Sequence, residues 1–95
     1  MKYQLLQISK WEDCNYFFRD WKCAQKNYFS LDDYEVVYEG EVNGTDVDEV
    51  LEDLFTIFNI KQPKDFKGHS MSVSDVVCLD GTYYYTDNVG FVKIN

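Results

Sequence analysis

The chain has one proline, one histidine and no apolar run of the length a membrane demands. A spanning helix needs about 18 or more consecutive apolar residues, so the sequence offers no such helix. Behind Met1-Lys2-Tyr3-Gln4-Leu5 there is no apolar stretch of the signal-peptide kind, and the expected location is the cytoplasm. Three cysteines, Cys14, Cys23 and Cys78, are too few and odd in number for a disulfide framework. They are expected as buried free thiols in a reducing compartment.

Together with His69 these thiols are the right ligand types for zinc, but Cys14 and Cys23 stand nine apart and no Cys-x-x-Cys knuckle exists. No metal and no cofactor are expected. The lone histidine also restricts catalysis. His69, Ser70, Ser72, Ser74 and Asp75 crowd together, yet no nucleophile elbow surrounds any serine. The five glycines are scattered at turns and build no phosphate-binding loop. Ser74 and Asp75 read as local hydrogen-bonding residues where a loop enters a strand. The expectation is a protein that is not an enzyme.

The most telling absence is of positive charge. Between Lys26 and Lys61 there is no Lys or Arg, and the same stretch holds ten carboxylates. The whole chain carries 17 acidic and 9 basic residues, a formal charge of −8. Such a surface repels phosphate backbones, which argues against direct nucleic-acid binding and favours a basic partner.

What is present in quantity is aromatic. Seven Phe, eight Tyr and two Trp give large contact areas to a chain of 95 residues, enough for one domain spanning 1–95 and against disorder. The pattern predicts a first strand over 2–9, apolar in part on both faces. A helix over about 13–26 follows, with Phe17, Phe18, Trp21 and Ala24 on one stripe. A second strand covers 34–42. Asn43-Gly44 marks a turn, and Thr45 or Asp46 caps a second helix over about 46–59. Val47, Val50, Leu51, Leu54, Phe55 and Phe58 form its apolar face, the cleanest periodic signal in the chain. Pro63 stands in the loop beyond. Asp80-Gly81 is a two-residue hairpin turn between strands 75–79 and 82–86, setting Cys78 opposite Tyr83 and Val76 opposite Tyr85. A short strand over 91–94 completes an α+β fold: βαβα, then a three-stranded antiparallel meander, with both helices on one face of the sheet.

On the second helix, Asp48/Glu52 and Glu49/Asp53 are like-charge pairs four residues apart, each costing about 0.2–0.5 kcal/mol. Stability alone would mix in lysines. The candidate partner-binding set is therefore Glu39, Glu41, Asp46, Asp48, Glu49, Glu52 and Asp53, expected as one continuous acidic patch that docks on a basic site. The bland alternative is a solvated helix face in a generally acidic protein. A different alternative is an accessory scaffolding module that joins proteins through an aromatic patch of Tyr3, Tyr28, Phe29, Tyr83 and Tyr85. Either a monomer or a homodimer fits the sequence.

The stretch Gly68-His69-Ser70-Met71-Ser72-Val73-Ser74-Asp75-Val76-Val77, followed by Tyr83-Tyr84-Tyr85 and Asn88-Val89-Gly90-Phe91, resembles the YodL-like domain family. Tyr34 to Glu41, the amphipathic helix ending in Phe58-Asn59, and the first strand with the Trp21 helix extend the resemblance over nearly the whole chain. It implies a small domain of Firmicutes plasmids, conjugative elements and phages, alone or attached to polyvalent proteins. It further implies counter-defence: an anti-CRISPR or anti-restriction inhibitor docking on the basic nucleic-acid-binding site of a host nuclease. The family supplies no catalytic residues to carry over.

Overall fold

The computed structural model describes residues 1–94. Five strands and two helices follow one another as β1 (Lys2–Ile8), α1 (Trp21–Lys26), β2 (Tyr34–Glu41), α2 (Val47–Ile60), β3 (Val76–Leu79), β4 (Thr82–Thr86) and β5 (Phe91–Lys93). Single 3-10 turns occupy Trp11–Asp13 and Leu31–Asp33. The class is α+β, with one antiparallel sheet in the order β2-β1-β3-β4-β5.

Register follows from the turns. Asp80 (φ +46) and Gly81 (φ +89) both sit in the left-handed region, the conformation of a type I′ hairpin turn. That turn sets Cys78 against Tyr83 and Val76 against Tyr85, as the sequence predicts. Asp80 also ties the hairpin to β1: its amide donates to the Lys2 carbonyl and its carboxylate accepts from the Lys2 amide, both at 2.9 Å. β1 thereby lies between β2 and β3, and its side chains are buried on both faces.

The placement of the helices departs from expectation. They lie on opposite faces of the sheet, not on one. Tyr3, Leu5, Val77 and Leu79 pack with Val50, Leu51, Leu54 and Phe58 of α2. Leu6, Ile8, Val76, Cys78 and Tyr85 pack with Ala24 of α1, Tyr16 and Tyr34. Alternate residues of a strand point to opposite faces, so two separate apolar clusters need two covering layers. The double-sided apolar pattern of β1 already required this.

α1 is also far shorter than the predicted 13–26. Phe18 adopts φ +62, and its amide is taken by the Ser74 hydroxyl at 3.0 Å, across 56 positions of sequence. That conformation is an outlier for a bulky residue and breaks the helix there. The helix restarts at Asp20, whose carboxylate accepts from the Cys23 amide as an N-cap. The second helix matches its pattern closely, with Asp46 as N-cap accepting from the Glu49 amide at 3.1 Å.

Candidate functional site

The outer face of α2 is built by helix geometry. Val50, Leu51, Leu54 and Phe58 turn inward, so Asp48, Glu49, Glu52 and Asp53, three and four positions apart, turn outward together. All four are exposed. Among the described residues none of them is ion-paired with a Lys or Arg. Asp46 stands at the same end of the helix, but its carboxylate is engaged in capping.

Glu39 and Glu41 are not part of this face. The β1–β2 register sets Glu39 beside Gln4 and Glu41 beside Lys2. Cross-strand neighbours share a face, and Gln4 in turn stands beside Cys78, which packs on the α1 side. The single continuous acidic patch expected from the sequence is thus two separate regions. Glu39 and Glu41 border a broad, open depression of about 760 Å³ on the half of the sheet that α1 leaves uncovered, floored by Gln4, Cys78 and Tyr83. Glu39 accepts from the Gln4 carboxamide at 3.1 Å.

The five-ring aromatic patch does not assemble either. Tyr3 and Tyr85 are buried, Phe29 and Tyr83 are half-buried, and Tyr28 alone is fully open. Tyr85 packs edge-on with Phe29 and tilted against Trp21. Of the three free thiols only Cys78 is buried; Cys14 and Cys23 are half-exposed. No group of three His, Cys, Asp or Glu residues suited to a metal occurs among the described residues.

The His69–Asp75 signature closes on a residue that sequence reasoning passed over. Gln7 is buried at the end of β1, with its carboxamide in the middle of the loop. Its Oε1 accepts from the His69 amide at 3.2 Å, and its Nε2 donates to the His69 carbonyl at 2.8 Å and to Asp75 Oδ2 at 3.0 Å. The two Nε2 hydrogens are then used. In the neutral imidazole His69 Nδ1 is then the donor to the Ser70 carbonyl 2.8 Å away, which leaves Nε2 as an acceptor.

That nitrogen is buried, without a hydrogen-bond partner, and faces Asp75 Oδ1 across 3.9 Å. Two acceptors face to face call for a proton between them. Burial supplies one: it pushes the Asp75 carboxyl up to about 7, against the opposing pull of hydrogen bonds from the Ser72 amide and Gln7. In this geometry neither imidazole nitrogen is free to reach a substrate, and Ser72 Oγ donates to the Ser70 carbonyl. The cluster acts as a clasp for the 68–75 loop. A glutamine set between the apolar residues Leu5, Leu6 and Ile8 was the available signal for it.

The clasp extends to the other face. Ser74 is buried at φ +84, its carbonyl accepts from the Tyr34 hydroxyl, and its own hydroxyl holds Phe18. Phe18 in turn stacks on Phe17 at 3.9 Å between ring centroids and meets His69 edge-on. Burial raises the Tyr34 phenol well above its ordinary range, so it stays a neutral donor.

A family model of the YodL-like domain matches residues 2–95. The "Uncharacterized protein YodL" of Bacillus subtilis (strain 168) is 31% identical over 101 residues, covering 96% of this chain and 92% of that protein. No solved structure matches the chain. No helix among the described residues is long and apolar enough to cross a membrane.

Proposed function

The chain belongs to the YodL-like domain family, and from that premise we propose that it is a non-enzymatic binding protein that presents the outer face of α2 to a basic protein surface. The observation that carries this reading is the row of Asp48, Glu49, Glu52 and Asp53, exposed together with no Lys or Arg among the described residues ion-paired to any of them. Self-repulsion along the helix lowers its stability, and the same field attracts a cationic target and speeds encounter with it. The absence of a free imidazole nitrogen at His69 favours binding over chemistry.

The partner class proposed is a nucleic-acid enzyme whose phosphate-binding groove is the basic surface, such as a host nuclease of CRISPR or restriction defence. Carboxylates in a row on a rigid rod stand in for phosphates. The test is capture from host lysate by wild-type protein and by a Glu49→Lys/Asp53→Lys variant. We expect a protein retained by the wild type at low salt, released by added salt or by duplex DNA, and missed by the variant. Equal capture by both proteins would refute the assignment.

A further inference from the structure

A narrow cleft of about 170 Å³ opens where α2 meets the turn between β4 and β5. Glu52 and Phe55 form its α2 side, and Thr86, Asp87, Gly90 and Phe91 form the other. The Phe55 and Phe91 rings stand edge to face, 6.5 Å between centroids, as apolar walls. Thr86 is only 2% exposed, yet its Oγ1 has no hydrogen-bond partner. Alternation along β4 turns this side chain to the α2 face, the side on which its neighbour-but-one Tyr84 packs. A buried hydroxyl without a partner is uncommon in a folded protein, and Thr86 is one of the residues that line the opening.

The charges around the cleft are of one sign. Glu52 is exposed at the mouth, and among the described residues no cation is near enough to pair with it. Asp87 accepts from the Trp21 and Asn88 amides through Oδ1, at 3.1 and 2.9 Å. No Lys or Arg lines the cleft. The Glu52 carboxylate, an unpartnered hydroxyl and two aromatic walls describe a receptor for a cation on an apolar stem.

We propose that this cleft is an anchor pocket for a lysine side chain projecting from the basic protein that meets α2; the assignment rests on the reading of α2 given above. The methylene stem lies along the edge-to-face pair of Phe55 and Phe91, and the ammonium donates to the Glu52 carboxylate and to Thr86 Oγ1. Ring faces add attraction for the cation. A compact head with three rotatable donors suits a narrow cleft better than the broad planar fork of arginine.

The test is an NMR titration of the 15N-labelled protein with acetyl-Gly-Lys-Gly-amide, and with the matching arginine and norleucine tripeptides. The lysine tripeptide is expected to shift the Thr86, Asn88 and Gly90 amides saturably. Thr86→Val and Glu52→Gln, each checked for an otherwise unchanged spectrum, should weaken it about tenfold. Equal binding of the norleucine or arginine tripeptide, or an unchanged affinity in Thr86→Val, would overturn the pocket. Its failure is separable from failure of the α2 reading. Partner capture lost in Glu49→Lys/Asp53→Lys, with no tripeptide bound at the cleft, would remove the pocket alone.

Discussion

Replacing Asp75 by Asn should stabilise the protein at alkaline pH, although the residue is buried and hydrogen-bonded. Burial raises the Asp75 carboxyl from 3.8 to about 7. A carboxyl that is raised on folding binds its proton more tightly in the folded state. Its stabilising contribution is therefore complete below the unfolded value and is lost as pH climbs through the folded one. The gap of about three pH units, at about 1.4 kcal/mol each, amounts to about 4 kcal/mol lost between pH 4 and pH 7. Asparagine keeps the shape and removes the titration. Its oxygen can accept from Ser72 and Gln7 as Asp75 Oδ2 does now, and its amide can donate to His69 Nε2 across the gap that measures 3.9 Å.

Urea unfolding followed by tryptophan fluorescence at pH 5 to 9 measures the difference. We expect Asp75→Asn ahead by about 2 kcal/mol at pH 5 and by about 4 kcal/mol at pH 8.5. Repulsion among the other carboxylates grows with pH in both proteins, so it cancels in the comparison. A constant difference across the range, or Asp75→Asn weaker throughout, would refute the reasoning. It would mean that Gln7 and Ser72 suffice to hold a buried ionised carboxylate.

Two further outcomes follow from packing and charge. A Cβ at Gly68 would collide with Gln7 Oε1 and come within 2.8 Å of the Phe66 ring, so Gly68→Ala should lose about 1–3 kcal/mol in a thermal melt. An unshifted melting temperature would show that the Gln7 clasp yields at no cost. Glu49→Lys/Asp53→Lys exchanges one like-charge pair for another while making the contact of position 49 with Glu52 attractive, so it should change stability by no more than a few tenths of a kcal/mol while losing its partner. Loss of both properties together would mean a folding defect in place of a lost contact.

The sequence determined every element that rests on local chemistry. The periodic run from Val47 to Phe58 specified α2 to within a residue or two, because a 3.6-residue stripe has one solution and Asp46 fixes its start. Asp80-Gly81 specified the hairpin and its register, because two consecutive left-handed residues admit one turn geometry. The outward carboxylates of α2 were legible for the same reason. What tertiary structure decided is everything that depends on partners distant in the chain. Ser74 reaches back 56 positions to bend the chain at Phe18 and shortens α1. Pairing of β1 between β2 and β3 splits the apolar residues into two layers, sends the helices to opposite faces and parts Glu39 and Glu41 from α2. Burial alone turns Asp75 into a proton-holding group and leaves the Thr86 hydroxyl without a partner beside a cleft, since neither environment exists until the sheet has closed on its two layers.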